Sequence, residues 1–218
     1  MARAKQTNTV IDAIMLRIEN GTLLPGQQID EKELILSCGV SRTPVREAIL
    51  QLEATGIVVR HPRKGVSLFN PDTNEFLAIL EVHANLEAHA AELAALRISP
   101  KLETQLIACR DACTEFSKRP EPRDHSEYYS LNMRFHAIVA EAAVNPHLLE
   151  MIKLNARKLM AYYRLRYRTP GAIEQSAREH QEITNCILKR DAAGARETMF
   201  RHFNYDREAV MNMIASVN

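Results

Sequence analysis

The stretch PGQQIDEKELILSCGVSRTPVREAILQLEATGIVVRHPRKGV, residues 25–66, decides the reading of the fold. It opens on a Pro25-Gly26 turn. Asp30 followed three residues later by Glu33 has the spacing of a helix N-cap with its capping-box partner, which predicts a short helix from Glu31 to Ser37. Cys38-Gly39 ends that helix and Val40 leads to a second cap, Ser41. Its hydroxyl can accept from the backbone at the start of a helix whose first turn contains Pro44, where a missing N–H costs nothing. This second helix runs to Thr55, stops at Gly56, and carries Val45, Ile49 and Leu52 on its buried stripe. Two helices joined by a tight glycine-containing turn form a helix-turn-helix pattern. Arg42, Thr43 and Arg46 are left facing outward at the N-terminal end of the second helix. Arginine can fork onto guanine O6 and N7, and threonine can reach a phosphate or a methyl group. Next come Ile57-Val58-Val59-Arg60 and Val66-Ser67-Leu68-Phe69, two short strands around the basic run Arg60-His61-Pro62-Arg63-Lys64, and hence a wing. Two exposed arginines alone would read as a solvated helix face. A capped helix-turn-helix followed by a basic hairpin favours a nucleic-acid interface.

Upstream, Val10, Ile11, Ile14, Leu16 and Ile18 follow a helical rather than an alternating pattern from Thr9 onward, with Asn20-Gly21 as the stop. Downstream, Asn70-Pro71 marks a boundary, so residues 1–70 and 71–218 are expected to form separate domains. Glycine usage respects that division. Five of the 7 glycines fall in the first 65 residues, leaving Gly171 and Gly194 for the rest. Asp72 with Glu75 has capping-box spacing and opens a long helix, and Pro100, Pro120, Pro122, Pro146 and Pro170-Gly171 divide the remaining chain into helical lengths. Six helices are predicted, over about 73–97, 100–117, 124–143, 146–168, 172–190 and 192–215, with no strand-like alternation. The expected fold is mainly α: an N-terminal winged helix-turn-helix and a C-terminal all-α six-helix bundle.

Composition narrows the function. With 28 Lys and Arg against 27 Asp and Glu, the net charge is +1, but up to Asn70 the balance is 9 against 7. A small local excess on a near-neutral chain suits reversible binding of nucleic acid. No apolar run approaches the roughly 18–20 residues of a membrane span, and the polar stretch Met1 to Thr9 lacks the apolar core of a signal peptide, so a cytoplasmic protein without a membrane partner is expected. Four cysteines, Cys38, Cys109, Cys113 and Cys186, make no disulfide framework and no C-x-x-C pair.

Three histidines stand on otherwise apolar stripes. His136 lies four residues after Asn132, on one helix face with Phe135 and Val139; His180 shares a face with Ile183, Thr184 and Ile187; His202 shares one with Met199, Tyr205 and Ala209. Taken singly, each reads as a satisfied core histidine. Taken together, three imidazoles on separate helices with an asparagine one turn before the first are what a metal site inside a bundle needs.

The 25–66 stretch, and SRTPVREAI (41–49) most specifically, resembles the winged helix-turn-helix of the GntR family of bacterial transcription regulators. By that resemblance Arg42, Thr43 and Arg46 contact bases and phosphates, and His61, Lys64 and Gly65 of the wing approach the adjacent groove. The segments ILEVHANLEAHAAELAAL (79–96), NMRFHAIVAEAAVNPHLL (132–149) and EHQEITNCILKRDAAGARETMFRHF (179–203) are similar to the FCD effector-binding domain of the FadR-type subfamily. Six rather than seven helices resemble its shorter, VanR-like branch. The resemblance implies a divalent metal, Zn or Ni, on Asn132, His136, His180 and His202. Two positions depart from the family pattern. Asn132 stands where many members have aspartate, and His83 stands where an arginine often faces the ligand cavity. His83 shares its face with Glu87 and is expected either to line the effector cavity or to pair with that carboxylate.

The function implied is a transcription regulator, usually a repressor, that binds a short inverted repeat of double-stranded DNA as a homodimer and answers to a small organic acid. Two other classes stay open on the residues alone. Three histidines with an open position also describe a hydrolytic zinc site, although the stripes around them offer no obvious general base. The helical domain could also serve for dimerisation only, with the histidines as core filler.

Overall fold

The computed structural model describes residues 2–203 and 210–211, and the chain divides into two compact units at Asp72–Thr73. In the first, α1 (Ala2–Glu19), α2 (Glu31–Cys38) and α3 (Arg42–Ala54) precede the antiparallel hairpin β1 (Val58–His61) and β2 (Gly65–Leu68), with Val58 opposite Leu68 and His61 opposite Gly65. One apolar stripe of α1, Val10, Ile14 and Ile18, is fully buried with Leu34 of α2 and Val45, Ala48, Ile49 and Leu52 of α3. Leu16, expected on that stripe, is instead 58% exposed. It lies two residues from both Ile14 and Ile18, across the helix from the line they form.

Asp30 caps α2 as expected, its carboxylate accepting from the N–H groups of Lys32 and Glu33, and left-handed Gly39 (φ 63°) ends it. Ser41 precedes α3 in extended backbone without a side-chain cap bond, which corrects the expected hydroxyl cap. Helix α1 begins at Ala2, earlier than the expected Thr9. Its first turns are held by polar contacts that an apolar pattern does not register: Thr7 is buried and its hydroxyl donates to Glu47 Oε2 at 3.1 Å, and Arg3 pairs with the same carboxylate. The wing has an unexpected third edge. The N–H of Gly26 donates to Leu68 O, that of Ile29 to Val66 O, and that of Leu68 to Gln27 O, so residues 26–29 cover the open side of β2.

In the second unit α4 (Thr73–Arg97), α5 (Pro100–Ser117), α6 (His125–Ala142), α7 (Pro146–Arg166), α8 (Ala172–Leu188) and α9 (Ala192–His202) match the predicted segments to within about two residues where both are described. The expected extension of the last helix to 215 falls largely outside the described residues, as do Tyr205 and Ala209. Side chains of Ser99, Asp124, Asn145 and Asp191 cap α5, α6, α7 and α9, with Pro100 and Pro146 opening their helices. Helix α4 is central, packed against α6, α7, α8 and α9. Buried Ala84, Ala88, Ala90, Ala91, Ala94 and Ala95 let those backbones approach it from several directions. Helix α8 buries Ile173, Ala177, His180, Ile183, Thr184 and Ile187, a helical stripe that carries one imidazole into the core. All four cysteines are free.

Candidate functional site

Two places in the molecule gather the residues with candidate roles. On the first unit, Arg42, Thr43 and Arg46 are exposed at the N-terminal end of α3, while Pro44 and Val45 between them are buried. The turn from α2 therefore seats the helix by its apolar side and leaves the three polar side chains outward. The first N–H groups of α3, at its positive end, have no side-chain cap from Ser41, an arrangement that suits a phosphate. Arg46 Nε lies 3.9 Å from Glu31 Oε2, with both side chains well exposed, a pairing of little energy that an anion can replace.

In the wing, Lys64 is exposed and its N–H closes the turn onto His61 O. Gly65 has φ 84°, where a side chain would be strained. His61 is held along the hairpin by a 2.9 Å hydrogen bond between Nε2 and Ser67 Oγ. Arg63 sits exposed at the tip with φ 66°. It was not among the residues expected to approach a groove, although it belongs to the basic run that marked the wing.

The second place is the core of the helical unit. Helices α6, α8 and α9 bring His136, His180 and His202 together, each buried, with one nitrogen from each within 4.8 Å of the others. Ring centroids are 5.0 to 5.5 Å apart. Asn132, one turn before His136, is buried with its Oδ1 unpartnered. His180 is fully buried, stacks on Phe135 at 3.9 Å, and has a hydrogen-bond partner at neither ring nitrogen. A buried imidazole with both nitrogens unsatisfied is costly, and marks a place where something else bonds. Burial pushes the His180 and His202 pKa values well below the usual range, helped by the neighbouring imidazoles and Arg166. Both rings are therefore neutral at pH 7, the form that can donate a lone pair.

Two carboxylates brace the cluster. Glu179 Oε2 lies 2.6 Å from His202 Nδ1, which leaves Nε2 as the free nitrogen of that ring; burial raises the Glu179 pKa. Glu87 Oε2 lies 3.3 Å from His136 Nδ1, and Glu87 Oε1 is 3.6 Å from His83 Nε2. His83 pairs with Glu87 and lines the cavity beside the cluster, with its pKa pushed down to about 4 by burial. Tyr163, Phe203 and Asn132 line that cavity too. Its free volume is about 20 Å³, where about 10–15 Å³ suffices for one water, so it admits an ion or a water but no larger molecule without opening. Glu179, Tyr163 and Phe203 were missed in the sequence: Glu179 and Phe203 adjoin His180 and His202 in the chain, but Glu179 acts on His202 of α9, Phe203 packs on His83 and His136, and Tyr163 comes from α7, and spacing along one helix reveals no partner on another.

Comparison with known proteins gives the family of the chain. Residues 6–68 match "Bacterial regulatory proteins, gntR family", and residues 78–205 match the FCD domain. The chain is a GntR-family transcriptional regulator with an FCD domain. This GntR regulator is 30% identical over 90% of its length, and 87% of the relative's, to the uncharacterized HTH-type transcriptional regulator YdhC of Bacillus subtilis (strain 168). It is 25% identical to the HTH-type transcriptional repressor GlaR of Escherichia coli (strain K12), covering 85% of this chain and 86% of that one. The fold is shared with E. coli McbR/YncC at a TM-score of 0.81 and 20% identity, covering 98% and 99% of the two chains. The relatives are regulators of transcription, so the hydrolase alternative finds no support among them. A GntR helix-turn-helix is a DNA-binding module, and no helix among the described residues is long and apolar enough to cross a membrane.

Proposed function

We propose that this GntR regulator is a repressor whose hold on its operator is set by a small organic acid bound at a divalent metal, Zn or Ni, in the FCD domain. The observation that carries the reading is the convergence of three buried imidazoles from three helices, one of them with both nitrogens unpartnered. A core histidine used only as filler would be expected to find at least one hydrogen bond.

The donor set suits such an ion. His136, His180 and His202 would hold it through nitrogen and Asn132 through its amide oxygen, a set that imidazole-preferring Zn and Ni accept. When bound, the ion supplies a positive anchor for a carboxylate. Glu179 and Glu87 orient their imidazole partners, Phe135 stacks on His180, and His83 with Tyr163 and Phe203 walls the adjoining space. Because that space is small, an organic acid enters only as the cavity lining shifts, which makes its binding sensitive to the state of the domain. Regulation then requires that the acid bind the DNA-competent and DNA-incompetent states with different affinity.

On DNA, Arg42, Thr43 and Arg46 would meet base edges and phosphates in the major groove, with His61, Lys64 and Gly65 at the neighbouring groove. A homodimer would match a short inverted repeat. The test is a thermal-shift screen of small carboxylates with and without added zinc, followed by a gel shift with the hits. A carboxylate that raises the melting temperature only with zinc and releases DNA supports the proposal. If stabilising carboxylates act equally with and without zinc, or if none stabilises the protein, it fails.

A further inference from the structure

Among the described residues, one buried carboxylate in this cavity has no Lys or Arg paired with it. Glu87, on α4, is 1% exposed and lines the same cavity as Asn132, His136 and His202. Its partners are imidazoles, His83 Nε2 at 3.6 Å and His136 Nδ1 at 3.3 Å, and among the described residues no Lys or Arg pairs with it. Burial keeps His83 neutral at pH 7. Glu179, the other carboxylate at the cluster, differs: Arg166, Arg178 and Arg201 all act on it electrostatically. A carboxylate in the interior gains from a cation beside it.

The donor set has the opposite deficit. Three imidazoles and an amide oxygen bring no negative charge, so a divalent ion held by them alone would keep its full charge in a site shielded from water. Asn132 Oδ1, also unpartnered, can donate a lone pair but cannot neutralise. The Glu87 carboxylate and three of the four donors, Asn132, His136 and His202, line one cavity.

We infer that Glu87 is the charge partner of the ion held by His136, His180 and His202, supplying from α4 the negative charge that Asn132 cannot. It acts as a positioning residue. The His136 Nδ1–H donates to the Glu87 carboxylate, which fixes the ring and makes Nε2 a stronger donor. The inference rests on the proposed metal site and goes beyond it by assigning where the neutralising charge comes from.

The test is a zinc titration of the full chain, against a chelator of known affinity, for the wild type, Glu87→Gln, Asn132→Asp and the double variant, with circular dichroism to follow folding. Glu87→Gln is expected to weaken zinc binding by about 10- to 100-fold. Asn132→Asp in the Glu87→Gln background is expected to recover most of that loss, because the carboxylate returns to the same cavity. In the wild-type background the same substitution is expected to gain clearly less. A purely structural Glu87 would not be rescued in this way. Unchanged zinc affinity in Glu87→Gln, or an equal gain from Asn132→Asp in both backgrounds, overturns the inference while leaving the metal site standing. A wild type that binds no zinc overturns the metal reading as well. Should Glu87→Gln alone not fold, the double variant decides: folded with zinc bound supports the inference, folded without it overturns the inference.

Discussion

Among the described residues, Arg46 pairs with the exposed Glu31 carboxylate alone, 3.9 Å from its Nε, so its guanidinium is open to a base edge or phosphate. Arg46→Ala is expected to weaken specific operator binding by about 1–3 kcal/mol, roughly ten- to a hundredfold, with folding and metal content unchanged. Gel shifts at fixed salt check this, and retention of wild-type specific affinity would remove Arg46 from the interface. His83 makes the opposite kind of prediction, about pH. Its pKa is about 4 in the folded protein and near the usual 6.5 when unfolded, so between those values the unfolded chain binds more protons. Stability is therefore lost as pH falls from about 6.5, and the loss from His83 is complete near 4. Melting temperatures from pH 7 to 4 should fall less steeply for a folded His83→Gln than for the wild type. Parallel profiles would contradict the burial argument.

At the scale of elements, the Asp30 cap is where sequence and structure agree in detail. Asp30 accepts two backbone N–H groups at the start of α2, so Asp30→Ala should destabilise the first unit by about 1 kcal/mol, measured by chemical denaturation. An unchanged midpoint would show that the cap is dispensable. Gly65→Ala should also destabilise the wing. The cause is its φ of 84°, since an added Cβ would meet nothing closer than Gln28 Oε1 at 3.9 Å. The recognition helix, the wing and the helical segments of the second unit were legible because apolar spacing, Gly stops and Pro starts report on local structure. The start of α1 and the third edge of the wing were not. Thr7 and Arg3 are held by Glu47 some forty residues away, and residues 26–29 pair with β2 through backbone groups that every sequence has. The missing Ser41 cap bond belongs to the same limit: a residue type can suit a cap without its hydroxyl turning to the backbone.

For the whole molecule, the histidines were legible as candidates, and their convergence was expected from the family resemblance but not from spacing along any one helix. Each sits on an apolar stripe of its own helix, and only the packing of α6, α8 and α9 around α4 shows that the stripes meet. The same packing explains the alanine-rich α4, which must be thin to stand among four neighbours, and the placement there of Glu87 and His83 beside the cluster. Sequence spacing revealed His83 and Glu87 as a pair one turn apart, but not that Glu87 reaches His136. A regulator built this way depends on the cluster binding something. The most direct measurement is elemental analysis of the purified full chain beside His180→Ala, both confirmed as folded. The account predicts about one divalent ion per wild-type chain, Zn or Ni, and loss of most of it in His180→Ala. A wild type that carries no metal and takes up no added zinc, or a variant with unchanged stoichiometry, would contradict it.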